Sequence, residues 1–175
     1  MDCKIETWLE CVSCEQKYDL NDIRYTCKCG GTLDVKRDLT KLDGEQLKKI
    51  WGERWSLKRG ALASGVWRYK ELVIDVPVEQ IVTRQEGSTR LYDAGLAGKY
   101  AGLKNFLLKH EGENPTGSFK DRGMTCGATA AKIYGAQCVA CASTGNTSAS
   151  MASYSAVSGM KSVIFIPEGA IAYGK

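Results

Sequence analysis

The sequence lacks the features of several common classes of protein. No stretch of its 175 residues approaches the about 20 consecutive apolar residues of a transmembrane helix, and Met1–Glu6 has no apolar centre like that of a secretion signal. Neither sign of charge predominates, because 24 basic and 20 acidic side chains give a net charge of +4. We therefore expect neither a membrane nor a nucleic acid as a partner. The only histidine, His110, is expected to be structural rather than a metal ligand.

Cysteine, by contrast, is plentiful, with eight in the chain. Cys126, Cys138 and Cys141 lie in apolar, alanine-rich segments and are expected to be small core residues. Four others form two close pairs in the first part of the chain: Cys11, Cys14, Cys27 and Cys29. This clustering favours a cytoplasmic, reduced protein with a metal site over a secreted disulfide scaffold.

The two close cysteine pairs fall in the first of three predicted regions, residues 1–37. Four thiolates that flank a short turn, Asp19–Asp22, are the arrangement of a zinc ribbon, in which metal binding offsets the folding cost of a very small unit. Gly30 and Gly31 allow the backbone to fold back under a sulfur atom. The second pair has a one-residue gap instead of two, so reduced thiols without a metal are the alternative.

Residues 38–75 are predicted to form a helical connector. Its segment Gly44–Trp51 has apolar side chains three and four positions apart, as in an amphipathic helix. Four aromatic residues are expected to pack the connector onto the main body: Trp51, Trp55, Trp67 and Tyr69. Stacking on nucleic acid is the alternative, and the acidic residues among the aromatic ones weaken it.

Residues 76–175 have the pattern of an α/β region. Strands are predicted at Glu79–Thr83, Asn105–Lys109, Gln137–Ala142 and Ser162–Ile166, and helices at Met124–Tyr134 and Met151–Gly159. The run Ser162–Ile166 is continuously apolar, as in a strand that is covered on both faces. The succession of strand, helix and strand with short loops indicates a parallel, right-handed unit.

The segment Glu113–Gly123 is predicted to run from a tight turn into the start of a helix. Pro115 interrupts the preceding element, because proline fixes its own φ and pushes its predecessor into an extended conformation. Thr116 and Ser118 have small hydroxyl side chains suited to capping a helix N-terminus. Asp121 then falls in the first turn, where a carboxylate suits the helix dipole.

Lys120 lies at the same predicted helix start. The positive end of the helix favours the neutral form of its amine, and Schiff-base chemistry with an aldehyde cofactor requires that form. The alternative is a solvated lysine followed by a local pair between Asp121 and Arg122.

The loop Ser143–Ser148 follows a predicted strand and opens a helix. Free backbone N–H groups and the positive end of the helix make such a position a natural anion site. Hydroxyl groups at Ser143, Thr144 and Thr147 add donors, and the amide of Asn146 offers another. Plain capping of the helix is the alternative for any single hydroxyl, but the grouped set favours a ligand site.

Taken together, these stretches resemble the threonine synthases, a family of fold-type II pyridoxal-phosphate enzymes. The resemblance rests on Lys109–Gly123 and Cys141–Ser150, with the paired cysteines and Ser64–Tyr69 in support. It implies an α/β fold of type II with an incomplete parallel sheet and helices, preceded by a small zinc-ribbon-like β unit. One departure is Arg90, which follows Gly87–Thr89 where members of the family usually have proline.

The resemblance also implies roles for the residues of both loops. Lys120 is expected to form the imine with pyridoxal 5'-phosphate, and Asn146 to hydrogen-bond the ring hydroxyl oxygen of the cofactor. Ser143, Thr144 and Thr147 are expected to hold the substrate carboxylate. The implied reaction converts O-phospho-L-homoserine and water into L-threonine and phosphate, with the amine of Lys120 moving protons at Cα and Cβ.

The same resemblance implies that the chain is the amino-terminal portion of a longer enzyme. A glycine-rich loop for the cofactor phosphate and a hydroxyl partner for the pyridine nitrogen are expected beyond Lys175. We therefore expect the 175-residue chain alone to hold a half-built cofactor site. The sheet edge at Ser162–Ile166 invites pairing with another chain, and members of the family are commonly homodimers.

Two other functions stay open on the sequence alone. A serine or threonine dehydratase, or another pyridoxal-phosphate lyase, shares the lysine segment with the threonine synthases. A non-catalytic zinc-ribbon module that binds nucleic acid or a protein would explain Cys11–Cys29 and the aromatic connector, but would leave both loops unexplained.

Overall fold

The computed structural model describes residues 5–169, and the chain divides between Ile50 and Trp51 into two compact units. The boundaries after residues 37 and 75 therefore stay a prediction about domain organisation. None of the helices in residues 5–169 has the length and apolar character needed to cross a membrane.

The first unit contains an antiparallel sheet of three strands in the order β2–β1–β3. The strands are β1 (Thr7–Cys11), β2 (Lys17–Asp19) and β3 (Leu33–Arg37). Helix α1 (Gly44–Trp55) follows, and its start is capped by Asp43, whose carboxylate accepts hydrogen bonds from the N–H groups of Glu45 and Gln46 at 3.0 and 3.1 Å. The predicted helix Gly44–Trp51 is confirmed and runs one turn further.

The second unit begins with short 3₁₀ helices, at Ala61–Ala63, Trp67–Leu72 and Val78–Gln80, and adds another at Glu111–Glu113. Its regular elements are β4 (Leu91–Asp93), α2 (Gly95–Ala101), β5 (Leu107–Lys109), α3 (Lys120–Ile133), β6 (Cys138–Ala142), α4 (Asn146–Ser158) and β7 (Lys161–Phe165). The chain is thus of mixed α/β class. Both loops singled out from the sequence lead directly into helices, as predicted. Helices α3 and α4 begin a few residues before the predicted ranges Met124–Tyr134 and Met151–Gly159.

The parallel unit predicted near the end of the chain is present. Strands β6 and β7 pair in parallel, with Ala140 opposite Val163, and α4 connects them. The expectation that β7 is covered on both faces is wrong for the described part of the chain, where Val163 and Phe165 are 43% and 61% exposed. The reason is that this sheet contains only two strands among residues 5–169.

Strands β4 and β5 form a separate antiparallel pair, with Tyr92 opposite Leu108. The strand predicted at Asn105–Lys109 is confirmed as β5, but the sequence pattern did not indicate its partner β4. The core positions expected for three cysteines are also wrong. Cys138 is exposed, while Cys126 and Cys141 are half-buried. Cys138 and Cys141 lie on β6, and the small sheet leaves much of that strand accessible to solvent.

The strand predicted at Glu79–Thr83 does not form. Val82 instead bonds to two side chains of α3, because its N–H donates to Thr129 Oγ1 at 2.9 Å and its carbonyl accepts from Thr125 Oγ1 at 2.6 Å. Hydroxyl groups on a helix therefore satisfy the backbone groups that a neighbouring strand would otherwise have paired.

Buried side chains join the connector to α3 and α4. Trp67 is fully buried and its indole N–H donates to Thr125 Oγ1 at 2.7 Å, so the expected packing of the aromatic connector is confirmed at this position. Val82, Ala128 and Tyr154 form the adjacent apolar cluster. These contacts fix the positions of α3 and α4, which begin at Lys120 and Asn146, two of the residues predicted to form the site.

Candidate functional site

Lys120 is the first residue of α3 and is half-buried. Its backbone N–H donates to Ser118 Oγ at 3.2 Å, as expected of a capping hydroxyl. Its amine lies 4.6 Å from the ring centroid of Phe119 and takes part in none of the ion pairs within residues 5–169. The amine is therefore available for another partner.

Asp121 ties the lysine segment to α4. Its carboxylate is fully buried and accepts hydrogen bonds from the N–H and hydroxyl of Thr116, at 2.7 and 2.6 Å, and from the hydroxyl of Ser150 at 2.5 Å. The sequence had given Asp121 only a role at the helix dipole. The contact with Ser150 could not be predicted because it depends on the packing of two helices.

The starts of α3 and α4 lie at the same end of the helix pair. Asp121 and Ser150 meet near the beginnings of the two helices, and Ala128 and Tyr154 join one cluster further along both. The helices consequently run in the same direction. Lys120 and Asn146, which are their first residues, share that end.

The loop before α4 offers unused hydrogen-bonding groups. Ser143, Thr144, Asn146 and Thr147 are all half-buried. The side chains of Thr144, Asn146 and Thr147 form no hydrogen bond with any other described residue, whereas Ser143 Oγ accepts from the N–H of Gly145 at 3.3 Å. Within residues 5–169 no direct bond joins these four residues to Lys120. The loop thus presents free donors at the same end of the helices as the lysine.

A second set of contacts supports the turn before Lys120. The N–H of Gly87 donates to Asn114 Oδ1 at 2.9 Å, and the amide nitrogen of Asn114 donates to the carbonyl of Glu111 at 2.7 Å. Arg122 holds Glu111 with two hydrogen bonds of 2.8 Å. The alternative of a local pair between Asp121 and Arg122 is therefore wrong, because Arg122 extends to Glu111 instead.

Arg90 makes a contact that the family's usual proline could not make. Its backbone N–H donates to a carboxylate oxygen of Glu113 at 2.6 Å, and the hydroxyl of Tyr92 donates to the other at 2.6 Å. Proline has no N–H to donate. The departure from the family pattern is thus matched by a local hydrogen bond.

The pair between Glu111 and Arg122 predicts a stability that depends on pH. The guanidinium of Arg122 lowers the pKa of Glu111 from an ordinary 4.5 to about 2. Because the folded pKa lies below the unfolded one, the stabilisation is complete above about pH 4.5 and is lost as the pH falls towards 2. We expect Glu111→Gln to lower the free energy of unfolding by about 1–2 kcal/mol at pH 7, less than the pKa shift alone suggests, because solvent screens the partly exposed pair.

This prediction is checked by urea unfolding of both proteins at several values of pH between 7 and 2.5. The difference between the two should shrink as the pH falls below 4.5. A difference that stays constant over that range would show that ionised Glu111 does not provide the stabilisation.

The four cysteines near the start of the chain, here called the four-cysteine cluster, come together as predicted. Cys11, Cys14, Cys27 and Cys29 have sulfur atoms within 4.8 Å of one another, and those of Cys11 and Cys29 are 3.6 Å apart. Four sulfurs bound tetrahedrally at 2.3 Å from zinc lie about 3.8 Å apart, so the spacing fits this metal.

The surroundings of Cys11 and Cys27 in the four-cysteine cluster suit thiolates. A Cβ atom on Gly31 would lie only 2.7 Å from Cys11 Sγ, so the glycine makes room for the sulfur. The hydroxyl of Tyr18 lies 3.1 Å from Cys27 Sγ, and this hydrogen bond, together with a backbone one from Cys29, lowers the pKa of Cys27 to about 6. These contacts favour the ionised form of Cys27 that a metal requires. At Cys14 a backbone hydrogen bond from Gln16 lowers the pKa, but the neighbouring cysteine sulfurs outweigh it and raise the pKa to about 12.

Comparisons with known proteins match most of the chain. The model of the pyridoxal-phosphate dependent enzyme family matches residues 82–175. The threonine synthase of Methanocaldococcus jannaschii is 47% identical over 165 residues, and that of Methanosarcina acetivorans 45% identical over 171 residues. Threonine synthase 2, chloroplastic, of Arabidopsis thaliana is 34% identical over 168 residues. The resemblance seen in the sequence is thus confirmed.

These alignments cover 94%, 95% and 89% of this chain, in the same order. They cover only 39%, 38% and 32% of the relatives. The chain therefore spans well under half the length of the curated proteins that it matches.

Proposed function

The chain belongs to the family of pyridoxal-phosphate-dependent enzymes, and from that premise we propose that it is part of a threonine synthase. The reaction is the conversion of O-phospho-L-homoserine and water into L-threonine and phosphate. One observation carries the proposal most strongly. Lys120, with a free amine, and a loop with unused donors lie at the same end of the pair α3 and α4.

The residues present fit the cofactor that this function needs. Lys120 would hold pyridoxal phosphate through its side-chain amine, and Asn146 would offer a side-chain amide that has no other partner in the described chain. When bound, pyridoxal phosphate supplies an electron sink for negative charge that develops on the substrate carbons. The chain's contribution is to orient the cofactor ring from one side by Asn146.

The loop before α4 is the proposed site for the amino-acid substrate. Hydroxyl groups of Ser143, Thr144 and Thr147 would hold its carboxylate, and the first turn of α4 adds a positive dipole end. The amine of Lys120 would take and return protons at Cα and Cβ of the substrate. The buried carboxylate of Asp121 would act as a positioning group, because it fixes the lysine segment against α4.

We propose a type II fold whose parallel sheet is represented here by β6 and β7, with a zinc-ribbon-like unit before it. The chain is taken as one portion of the enzyme, because its relatives are more than twice its matched length. A homodimer in the cytoplasm, where thiols stay reduced, is the expected setting.

The four-cysteine cluster is proposed to bind a structural zinc ion. Thiolate ligands and their spacing support zinc, and the small three-stranded sheet around them has few buried apolar residues: Ile5, Cys11 and Cys27 within this part of the described chain. Metal binding would then supply much of the folding free energy of the first unit.

Removal of one ligand should abolish stable metal binding. We expect the full natural chain, that is, the whole enzyme of which this chain is proposed to be a portion, to carry about one zinc ion. Cys11→Ser should reduce the zinc content at least about tenfold, because the three remaining thiolates cannot complete the tetrahedral shell. Elemental analysis by mass spectrometry of the purified proteins measures both. Cys138→Ser is the matched control, since it removes an exposed thiol outside the cluster. Equal zinc contents in the Cys11 and Cys138 variants would contradict the assignment.

The proposed reaction is tested with the full natural chain and added pyridoxal phosphate. We expect release of phosphate from O-phospho-L-homoserine with an equal amount of L-threonine formed. Formation of 2-oxobutanoate from threonine, without release of phosphate from phosphohomoserine, would instead identify a dehydratase. Binding to nucleic acid that disappears on metal chelation, with neither reaction present, would indicate the non-catalytic zinc-ribbon module.

A further inference from the structure

A cavity of about 290 Å³ lies in the second unit, apart from the lysine site. Its lining includes six residues with aromatic, cationic or hydroxyl side chains: Trp55, Arg68, Tyr69, Thr89, Lys109 and Arg122. Arg122 is two positions after Lys120 on α3, so the two side chains leave the helix on different sides. This cavity, here called the cationic pocket, is close to the lower limit of about 300 Å³ for small-molecule sites.

Arg68 is the most unusual residue of the cationic pocket. It is only 4% exposed, and its guanidinium carbon lies 4.0 Å from the ring centroid of Trp55. Its Nε atom is buried without a hydrogen-bond partner in the described chain, and Nη2 has only a long bond of 3.4 Å to the carbonyl of Ala63. A buried charged group with unmet donors is costly unless an anion joins it.

The cationic pocket has an excess of positive charge. Arg68 and Lys109 take part in no ion pair within residues 5–169, and Lys109 donates only to the carbonyl of Thr89. Arg122 is neutralised by Glu111, which also accepts from the hydroxyl of Thr89 at 2.9 Å. Among residues 5–169, no acidic side chain lines the pocket itself. Two uncompensated cations therefore face one small cavity.

We infer that the cationic pocket binds a phosphate group. A phosphate dianion matches the two uncompensated charges, and the guanidinium of Arg68 and the ammonium of Lys109 present N–H donors to its oxygens. The group is either inorganic phosphate or part of a small phosphate monoester, whose organic part would lie against Trp55 and Tyr69. This binding is independent of the proposed threonine synthase reaction.

Calorimetric titration of the full natural chain with inorganic phosphate and with phenyl phosphate, at constant ionic strength, tests this inference. Both anions should bind, and Arg68→Gln and Lys109→Gln should each weaken binding at least about tenfold, because each removes a charged donor. Tighter binding of phenyl phosphate supports a monoester, and equal binding supports free phosphate. Since Lys109 is exposed, Lys109→Gln should fold, and its affinity tests the inference if Arg68→Gln does not fold.

Arg59→Gln and Lys99→Gln are the matched controls, because they remove the same charges from exposed positions outside the pocket. Their affinities should equal that of the unaltered protein. The Lys120→Ala variant should also keep the affinity, which separates this pocket from the cofactor site. Undetectable binding of both anions, or equal affinities in the Lys109 and Lys99 variants, would overturn the inference.

Discussion

Replacing Lys120 by alanine should abolish both covalent attachment of pyridoxal phosphate and turnover. The reason is that Lys120 supplies an amine at the helix end where α3 and α4 begin together. We expect kcat to fall at least about 10³-fold, since the variant loses the covalent link and the group that moves protons. Phosphate release and the absorbance of the protein-bound cofactor measure the two effects.

Two further variants make this result specific. Lys132→Ala removes an exposed lysine from the same helix and should leave both properties unchanged. Lys120→Arg keeps the positive charge, but a guanidinium stays protonated and does not form an imine with an aldehyde. This variant should therefore be as inactive as the alanine variant. A Lys120→Arg protein with near-normal turnover would show that the residue acts through its charge alone.

Asp121→Ala should destabilise the second unit strongly and also weaken the cofactor site. The change leaves three donors without their shared acceptor: the N–H and hydroxyl of Thr116 and the hydroxyl of Ser150. Each unsatisfied buried donor costs about 1–3 kcal/mol, and partial access of water reduces the sum, so we expect a loss of about 2–4 kcal/mol. Urea unfolding followed by circular dichroism gives the free energy.

The exposed Asp93 supplies the control, because Asp93→Ala removes the same charge without breaking a buried network. Its effect should stay within about 0.5 kcal/mol. Asp121→Asn retains one acceptor oxygen and should fall between the two. Similar stabilities of the Asp121→Ala and Asp93→Ala proteins would refute the role given to the buried carboxylate.

Local patterns in the sequence predicted several elements well. The apolar spacing of Gly44–Trp51 predicted α1, and the apolar runs near Val139 and Ile164 predicted the parallel pair β6 and β7. Residue types predicted where α3 and α4 start, because Pro115, Ser118 and Asp121 indicated the start of α3 and the loop Ser143–Ser148 that of α4. The ranges predicted for the two helices began later, because their first turns consist of charged or small polar residues with no apolar period.

Contacts between distant parts of the chain were beyond such patterns. The strand predicted at Glu79–Thr83 failed because Thr125 and Thr129, more than forty positions later, satisfy the backbone of Val82. The bonds of Asp121 to Ser150 and of Arg122 to Glu111 depend in the same way on how helices and turns pack. Residue types in the sequence indicated the candidate site. The contacts that position its residues, by contrast, could be identified only from the folded chain.

Reduction with borohydride in the presence of pyridoxal phosphate, followed by peptide mapping, tests the central claim most directly. Reduction fixes the cofactor to whichever amine holds it. The full natural chain should carry one pyridoxyl group, on the peptide that contains Lys120, and prior addition of O-phospho-L-homoserine should reduce this labelling. Labelling of another lysine, with Lys120 unmodified, would contradict the account.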